Sequence, residues 1–472
     1  MNASIHSIDE QVLGPNQATT ANNAITNLSS LNKTLDLFFV AGSSRNNPDL
    51  ASMFSAALNE NVEFTLRIMQ WARDVRGGAG ERDAFKVMLT ELIDVHPLLA
   101  DRIIAKIPEL GRWDDMFVAF GTQCERTALR LISAALRDEN GLCAKWMPRK
   151  GPVANTIRSY LKMTPKAYRK LIVGLSNTVE QKMCANQWDQ IVYSSVPSVA
   201  AARYQHAFQT NDTVRYNEYV ERLKDGTDTV NASAVYPYDV VRSLRNGNVD
   251  VANKQWDSLE NYLTEANGNI LPVVDVSGSM NMPVSGSVSA MDVSISLGLY
   301  ISERNTGIFK DHYITFSKHP ELQHANGSLF ERYQMVRQSD WGYNTDIDAV
   351  FTLLLKNAKS MKASNEDMPS VIIILSDMEF DSAVSGGRNA KTYDNIKSRY
   401  FDAGYTMPRM VFWNLNGRKG NVPVTMLENG TALVSGFSPS IMKSLLGQVT
   451  SPGSITPISV MLDTVNIERY RY

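Results

Sequence analysis

Two short apolar runs constrain this chain more than anything else in it. Val371 to Leu375 holds four β-branched residues and a leucine between Pro369 and Asp377, and Ile270 to Val276 is nearly as apolar. Runs of this length and composition predict strands buried on both faces. They sit in an alternation of further elements. Helices are predicted over 290–304, 347–362, 393–403 and 439–446, and strands over 310–316, 409–414 and 432–434. Strand and helix in alternation predict a mostly parallel, doubly wound α/β sheet, here over residues 266–472.

In open sheets of this kind, ligands bind at the carboxyl ends of the strands. The first run ends in Asp275-Val-Ser277-Gly-Ser279, and the second ends at Asp377. Between them Gly342-Tyr-Asn-Thr345-Asp lies just ahead of a predicted helix. Gly278 permits a tight turn that brings both serine hydroxyls to one point. Asp275, Ser277, Ser279, Thr345 and Asp377 form an all-oxygen donor set suited to Mg²⁺ or Mn²⁺ rather than zinc. Because much of the set is neutral, the ion keeps Lewis acidity for an anionic ligand from a partner. Taken singly, Asp-x-Ser after a strand can be a plain Asx-turn; three such segments at element boundaries argue for a site. Haloacid dehalogenase phosphatases need a second Asp where Ser277 stands, and no P-loop, His-Glu-x-x-His or Gly-x-Ser-x-Gly pattern occurs.

The first half reads differently. Residues 1–30 are polar, an arm that is flexible or draped over another surface. Residues 31–265 show helical periodicity broken by short turn signals, among them Gly77-Gly78-Ala79-Gly80 and His96-Pro97. Serial helices with short connections suggest a helical-repeat stack, without a clean sequence period. Within it, Lys145, Arg149, Lys150, Arg158, Lys162, Lys166, Arg169, Lys170 and Lys182 face the single acid Glu180 over 145–182. With Trp146, Tyr160 and Tyr168 interleaved, such helices can neutralise phosphate and stack bases; a solvated charged face is the competing explanation.

The 472 residues predict two or three domains, and a net charge of −2 makes any basic surface local. Cys124, Cys143 and Cys184 have neither zinc-ligand spacing nor a disulfide framework. The polar N-terminus lacks a signal-peptide pattern, and no run is long enough for a bilayer. The expectation is a cytoplasmic protein without a membrane partner, in host cytoplasm or a virion if viral.

Asp275-x-Ser277-x-Ser279 with Thr345 and Asp377 resembles the metal-ion-dependent adhesion site (MIDAS) of von Willebrand factor A (vWA) domains. In that family the hydroxyls tend to ligate the ion directly and the aspartates often act through water. The Gly342-x-x-Thr345-Asp346 loop is similar to that of the Ro (TROVE) ribonucleoprotein family. So are Arg73-Asp74-Val-Arg76-Gly77-Gly78-x-Gly80-Glu81-Arg82 and Ile107-Pro-Glu-Leu-Gly111-Arg112-Trp113-Asp114-Asp115. A closer resemblance, through Ala144-Lys145-Trp146-Met147-Pro148-Arg149, Phe412-Trp413-Asn414-Leu415 and Val434-Ser435-Gly436-Phe437, is to a TROVE-like domain-of-unknown-function family of plants, fungi, large viruses and phages.

The resemblance implies HEAT-like helices closed against the vWA domain in a ring. It further implies small structured or single-stranded RNA as partner, and a scaffold without catalytic activity. A different function remains open: a protein-interaction or virion-assembly component whose cation captures an acidic partner residue. Phosphoester hydrolysis by Mg²⁺ with Asp346, Asp348, Glu379 and Asp381 would need a second metal cage, which the sequence does not offer. The glycine turn at 73–82 reads rather as a structural ion-pair network of Arg73, Arg76, Glu81 and Arg82.

Overall fold

The computed structural model describes residues 14–20, 25–44, 47–230, 235–245, 249–264, 269–285, 288–316, 320–339, 346–380, 389–450 and 453–472. Strands β1 (Gln17–Thr19) and β2 (Ile25–Asn27) pair antiparallel. Their polar side chains tie them to the second half of the chain. Asn27 and Val422 exchange backbone hydrogen bonds of 3.1 and 3.0 Å. Asn27 Nδ2 adds a bond to the Val422 carbonyl, and the Thr20 hydroxyl donates to the Phe380 carbonyl at 2.7 Å. The described part of the polar arm is therefore draped over the sheet domain.

Fourteen helices follow among the described residues: α1 (Lys33–Ala41), α2 (Leu50–Glu60), α3 (Val62–Arg73), α4 (Arg82–Val95), α5 (Pro97–Leu110), α6 (Glu125–Arg137), α7 (Gly141–Trp146), α8 (Pro152–Tyr160), α9 (Pro165–Ser176), α10 (Val179–Cys184), α11 (Ser198–Asn211), α12 (Thr213–Lys224), α13 (Pro237–Arg245) and α14 (Val249–Asp257). Their starts follow local chemistry. Asn32, Asn61, Asn140 and Thr164 cap α1, α3, α7 and α9 through their side chains. Proline opens α5, α8 and α9, where a missing N–H is harmless. Neighbours in sequence pack as neighbours in space from α1 to α7, and α9 packs on α7. Helices α11 and α12 close over an apolar cluster of their own, built around Tyr193, Phe208, Tyr216 and Tyr219.

The second half contains β3 (Ile270–Val274), the small hairpin β4 (Pro283–Ser285) and β5 (Val288–Ser289), α15 (Ala290–Arg304), β6 (His312–Thr315), β7 (Leu322–His324), α16 (Leu329–Arg337), α17 (Ile347–Met361), β8 (Val371–Ser376), α18 (Asn389–Asp402), β9 (Arg409–Asn414), β10 (Thr431–Ser435), α19 (Ile441–Val449) and α20 (Pro457–Val465). Six strands form one sheet in the order β10-β9-β8-β3-β6-β7. All pairs are parallel except β6 with β7. Every residue of β3 and β8 is buried, as the apolar runs require. The strand expected over 270–276 stops at Val274, because Asp275 already turns toward its own loop. The fold is thus a helical module joined to an α/β domain of vWA type.

The helical module meets the sheet domain at both of its ends. At one, α1 packs on β10. Gly42 makes this possible: a Cβ there would lie 2.2 Å from the Ser435 carbonyl oxygen. Ser435 Oγ accepts from the Gly42 N–H at 3.0 Å and donates to the Phe38 carbonyl at 2.8 Å. The C-terminal residues reinforce this end, Arg469 and Tyr470 both binding the buried Asp74. At the other end α13 packs on α15, with Arg245 3.1 Å from Asp292 and the Trp256 indole N–H 2.7 Å from Glu303.

The glycine turn belongs to the first of these ends and is structural. Arg73, 2 % exposed, pairs with the fully buried Asp115 at 2.7 Å. Gly78 lies so close to the Trp71 carbonyl oxygen, 1.9 Å from a built Cβ, that only glycine fits. Arg73 thus follows the ion-pair explanation, whereas Arg76 donates to the Glu109 carbonyl at 2.8 Å and Arg82 sits beside the exposed Asp83.

Candidate cation site and basic face

Strands β3 and β8 are adjacent, yet the chain leaves them in opposite directions across the sheet. From β3 it runs toward β6, and from β8 toward β9. This is the topological switch point, where the connecting loops part and leave a crevice at the carboxyl ends. Parallel register sets Val274 beside Leu375, so Asp275 directly follows β3 while Asp377 follows Ser376, the last residue of β8, and both stand at the carboxyl ends of the two strands.

Hydrogen bonds fix the loops. The Ser277 N–H donates to Asp275 Oδ1 at 2.9 Å, an Asx-turn that carries the hydroxyl of Ser277 to within 3.1 Å of that of Ser279. Asp275 Oδ2 accepts from the buried Ser376 hydroxyl at 2.6 Å. Asp377 Oδ1 accepts from the Glu379 N–H at 3.3 Å. Met378 between them has φ 66°, a left-handed conformation rare for such a side chain.

Asp377 is 3 % exposed, and its Oδ2 has no hydrogen-bond partner. Burial, and then the charge of Asp275, push its carboxyl up to about 7. A buried, unpaired carboxylate oxygen beside a second carboxylate is costly without a counter-charge. A small divalent cation would supply one. Asp275, Ser277, Ser279 and Asp377 are thus brought together; Thr345 lies outside the described residues. Among the described residues no group of three His, Cys, Asp or Glu side chains is placed to hold a metal ion.

The other nearby carboxylates have their own partners. Asp346 caps α17 through the Ala349 N–H, Asp348 pairs with Arg399, and Glu379 is 3.7 Å from Arg418. Asp381 lies outside the described residues. Sequence reasoning missed Ser376 and Arg418. Ser376 reads as one more strand residue, and Arg418 reaches the site only through the fold of the loop after β9.

The basic segment spans α7, α8 and α9. Lys166, Arg169 and Lys170 occupy one turn-spaced face of α9, opposite the buried Tyr168 and Ile172. These three and Lys145, Arg149, Lys150 and Lys162 are exposed, and none pairs with a carboxylate among the described residues. Two expectations need correction. Arg158 is half-buried and its Nη1 donates to the Met163 carbonyl at 3.3 Å, so it serves the turn after α8. Tyr168 is 2 % exposed, its hydroxyl bound to the Pro148 carbonyl, and cannot stack on a base. The Trp146 ring is covered by the Arg112 guanidinium, 3.7 Å from its centroid. Tyr160 alone of the three aromatics stands exposed.

A helical module docked at both ends on a vWA-type domain defines a Ro-like fold. The crystal structure of the Ro (RSR) protein of Deinococcus radiodurans aligns over 89 % of this chain and 99 % of that one, with a TM-score of 0.50 and 11 % identity. Residues 20–108 and 124–270, half of the chain, match the family described as "Domain of unknown function (DUF2828)", and the chain belongs to that family. Residues 269–457 match "Domain of unknown function (DUF7788)". Uncharacterized protein L728 of Acanthamoeba polyphaga mimivirus is 27 % identical over 507 residues, covering 92 % of this chain and 87 % of that protein. Among the described residues no helix is long and apolar enough to cross a membrane.

Proposed function

We propose that this chain is a non-catalytic RNA-binding scaffold whose vWA-type domain holds Mg²⁺ or Mn²⁺ for ligand capture. The observation that carries the RNA reading is the exposed face of α9 with its neighbours: seven cationic side chains without carboxylate partners, on a chain of net charge −2. Structural pairing accounts for Arg73 of the glycine turn but not for these. Cations so exposed on rigid helices suit phosphate, displacing its counterions. With two of three aromatics unable to stack, recognition would rest on the backbone and shape of small structured or single-stranded RNA more than on bases.

The unpartnered Asp377 oxygen supports a second role, on the sheet domain. Asp275, Ser277, Ser279 and Asp377 would hold the cation, with Thr345 as the further hydroxyl. The cation would supply an open Lewis-acid position for an anionic group. If that group is an acidic side chain of a protein, the domain docks partners, in an assembly or virion setting if the protein is viral.

The two roles separate by chelation. Charge reversal of Lys166, Arg169 and Lys170 is expected to weaken RNA binding at least tenfold, while EDTA leaves it intact. Unchanged affinity after reversal would remove α9 from the interface. A protein partner held by the cation would instead dissociate in EDTA or with Asp275→Ala.

A further inference from the structure

A cavity of about 310 Å³ opens between residues 43 and 47–49, the segment 282–284 a few residues past Ser279, and residues 416–419 of the loop after β9. That volume is at the lower end for small-molecule sites. Its walls come from both halves of the chain. Gly417 pins one wall: its N–H donates to the Ser43 carbonyl at 3.0 Å, and a Cβ there would lie 2.5 Å from the Val40 carbonyl oxygen.

Three kinds of surface meet in it. The first is cationic. Arg418 and Lys419 line the cavity, and Arg418 is aimed by its neighbours. Glu379, two residues beyond Asp377, lies 3.7 Å from Nη1, and the Asn416 amide, turned so that its oxygen faces the guanidinium, would accept from Nε at 3.2 Å and Nη2 at 3.1 Å. The second is hydrogen-bonding. Ser43 is 4 % exposed, lines the cavity, and its hydroxyl has no partner. Asp49 stands on the same wall, and its carboxylate makes no cap bond to α2. The third is apolar, from Pro48, Met282 and Pro283, with the Met282 sulfur against Arg418 Nη2.

A ligand matching all three carries an anionic head, hydroxyls that donate to a carboxylate, and an apolar body. A carboxylate from an acidic peptide would satisfy only the first. We propose that this cavity binds a nucleoside monophosphate, free or as the terminal nucleotide of a strand. The phosphate sits at Arg418 and Lys419, the ribose hydroxyls donate toward Asp49, and the base lies on the Pro48–Met282–Pro283 wall. An aimed guanidinium favours phosphate because its fork matches the oxygens. The inference builds on the cation-site reading by naming what the cavity a few residues past Ser279 takes.

The test is calorimetric titration of the full chain with AMP, adenosine and inorganic phosphate, with Mn²⁺ binding followed by electron paramagnetic resonance on the same samples. AMP is expected to bind at least tenfold more tightly than adenosine or phosphate. The double variant Arg418→Ala, Lys419→Ala should lose at least tenfold for AMP yet bind Mn²⁺ as the parent does, and Arg418→Lys should recover part of the loss. Oligonucleotides with a 5′-phosphate or a 5′-hydroxyl separate the two sources: preference for the phosphorylated strand over AMP assigns a strand end, the reverse a free nucleotide. No AMP binding at millimolar concentration, or equal binding by the double variant, overturns the proposal. Mn²⁺ binding without AMP binding would sink the nucleotide site and leave the cation site standing. AMP binding without Mn²⁺ binding would do the opposite.

Discussion

Asp377 has one carboxylate oxygen bound to a backbone N–H and one bound to nothing, in a crevice shared with Asp275. Its carboxyl, raised to about 7, lies above the ordinary value of an unfolded aspartate. Folding without a cation therefore takes up a proton. The stability this contributes is complete below about pH 4 and is lost as pH rises through about 7. In EDTA the melting temperature should fall between pH 5.5 and pH 8, and Asp377→Asn should flatten that fall. On the proposed reading Mg²⁺ would replace the proton, so its stabilisation should grow with pH, reaching ~2.7 kcal/mol at a hundredfold excess over Kd. A melting temperature that ignores both EDTA and the Asn substitution would contradict this. The Arg73–Asp115 pair makes a second prediction. Asp115→Ala leaves a buried guanidinium unpaired and should cost about 3–5 kcal/mol in urea unfolding, whereas an apolar replacement of both residues should recover much of it.

The elements that sequence patterning found are those buried on both faces or regularly amphipathic: β3, β8 and β9, α15, α17, and the early helices. Those it missed lack such a pattern. Strand β7 has three residues at the sheet edge, where one face needs no apolar side chains. Helix α14 begins beyond a polar stretch and reads as a linker until Trp256 is seen reaching Glu303. The two ends of the Asp275–Ser279 loop are legible because Asp, Ser and Gly occupy it for reasons of turn geometry. Neither Ser376 nor the cavity beside Arg418 is, since both depend on loops 100 or more residues apart meeting at the switch point. The basic run was visible, but which of its members face solvent was not: that follows from the phase of α9, which buries Tyr168 and Ile172. Gly42 tests the docking of α1 on β10. Gly42→Ala should force the two apart, cost about 1–3 kcal/mol, and raise amide hydrogen exchange at 431–435. Unchanged protection there would mean the contact is dispensable.

For the whole molecule, the described contacts form a circuit in which the helical module begins and ends on the sheet domain. The cation site and the basic face lie on different parts of that circuit, so each can take its own ligand. The α9 face is proposed to bind RNA electrostatically, independently of the cation. Fluorescence anisotropy of labelled single-stranded RNA across 50–200 mM salt, with and without EDTA, tests it in one experiment. Reversing Lys166, Arg169 and Lys170 together should lower the slope of log K against log salt by about 2, with no effect of EDTA on either protein. Equal slopes for parent and variant, or binding abolished by EDTA, would contradict the account.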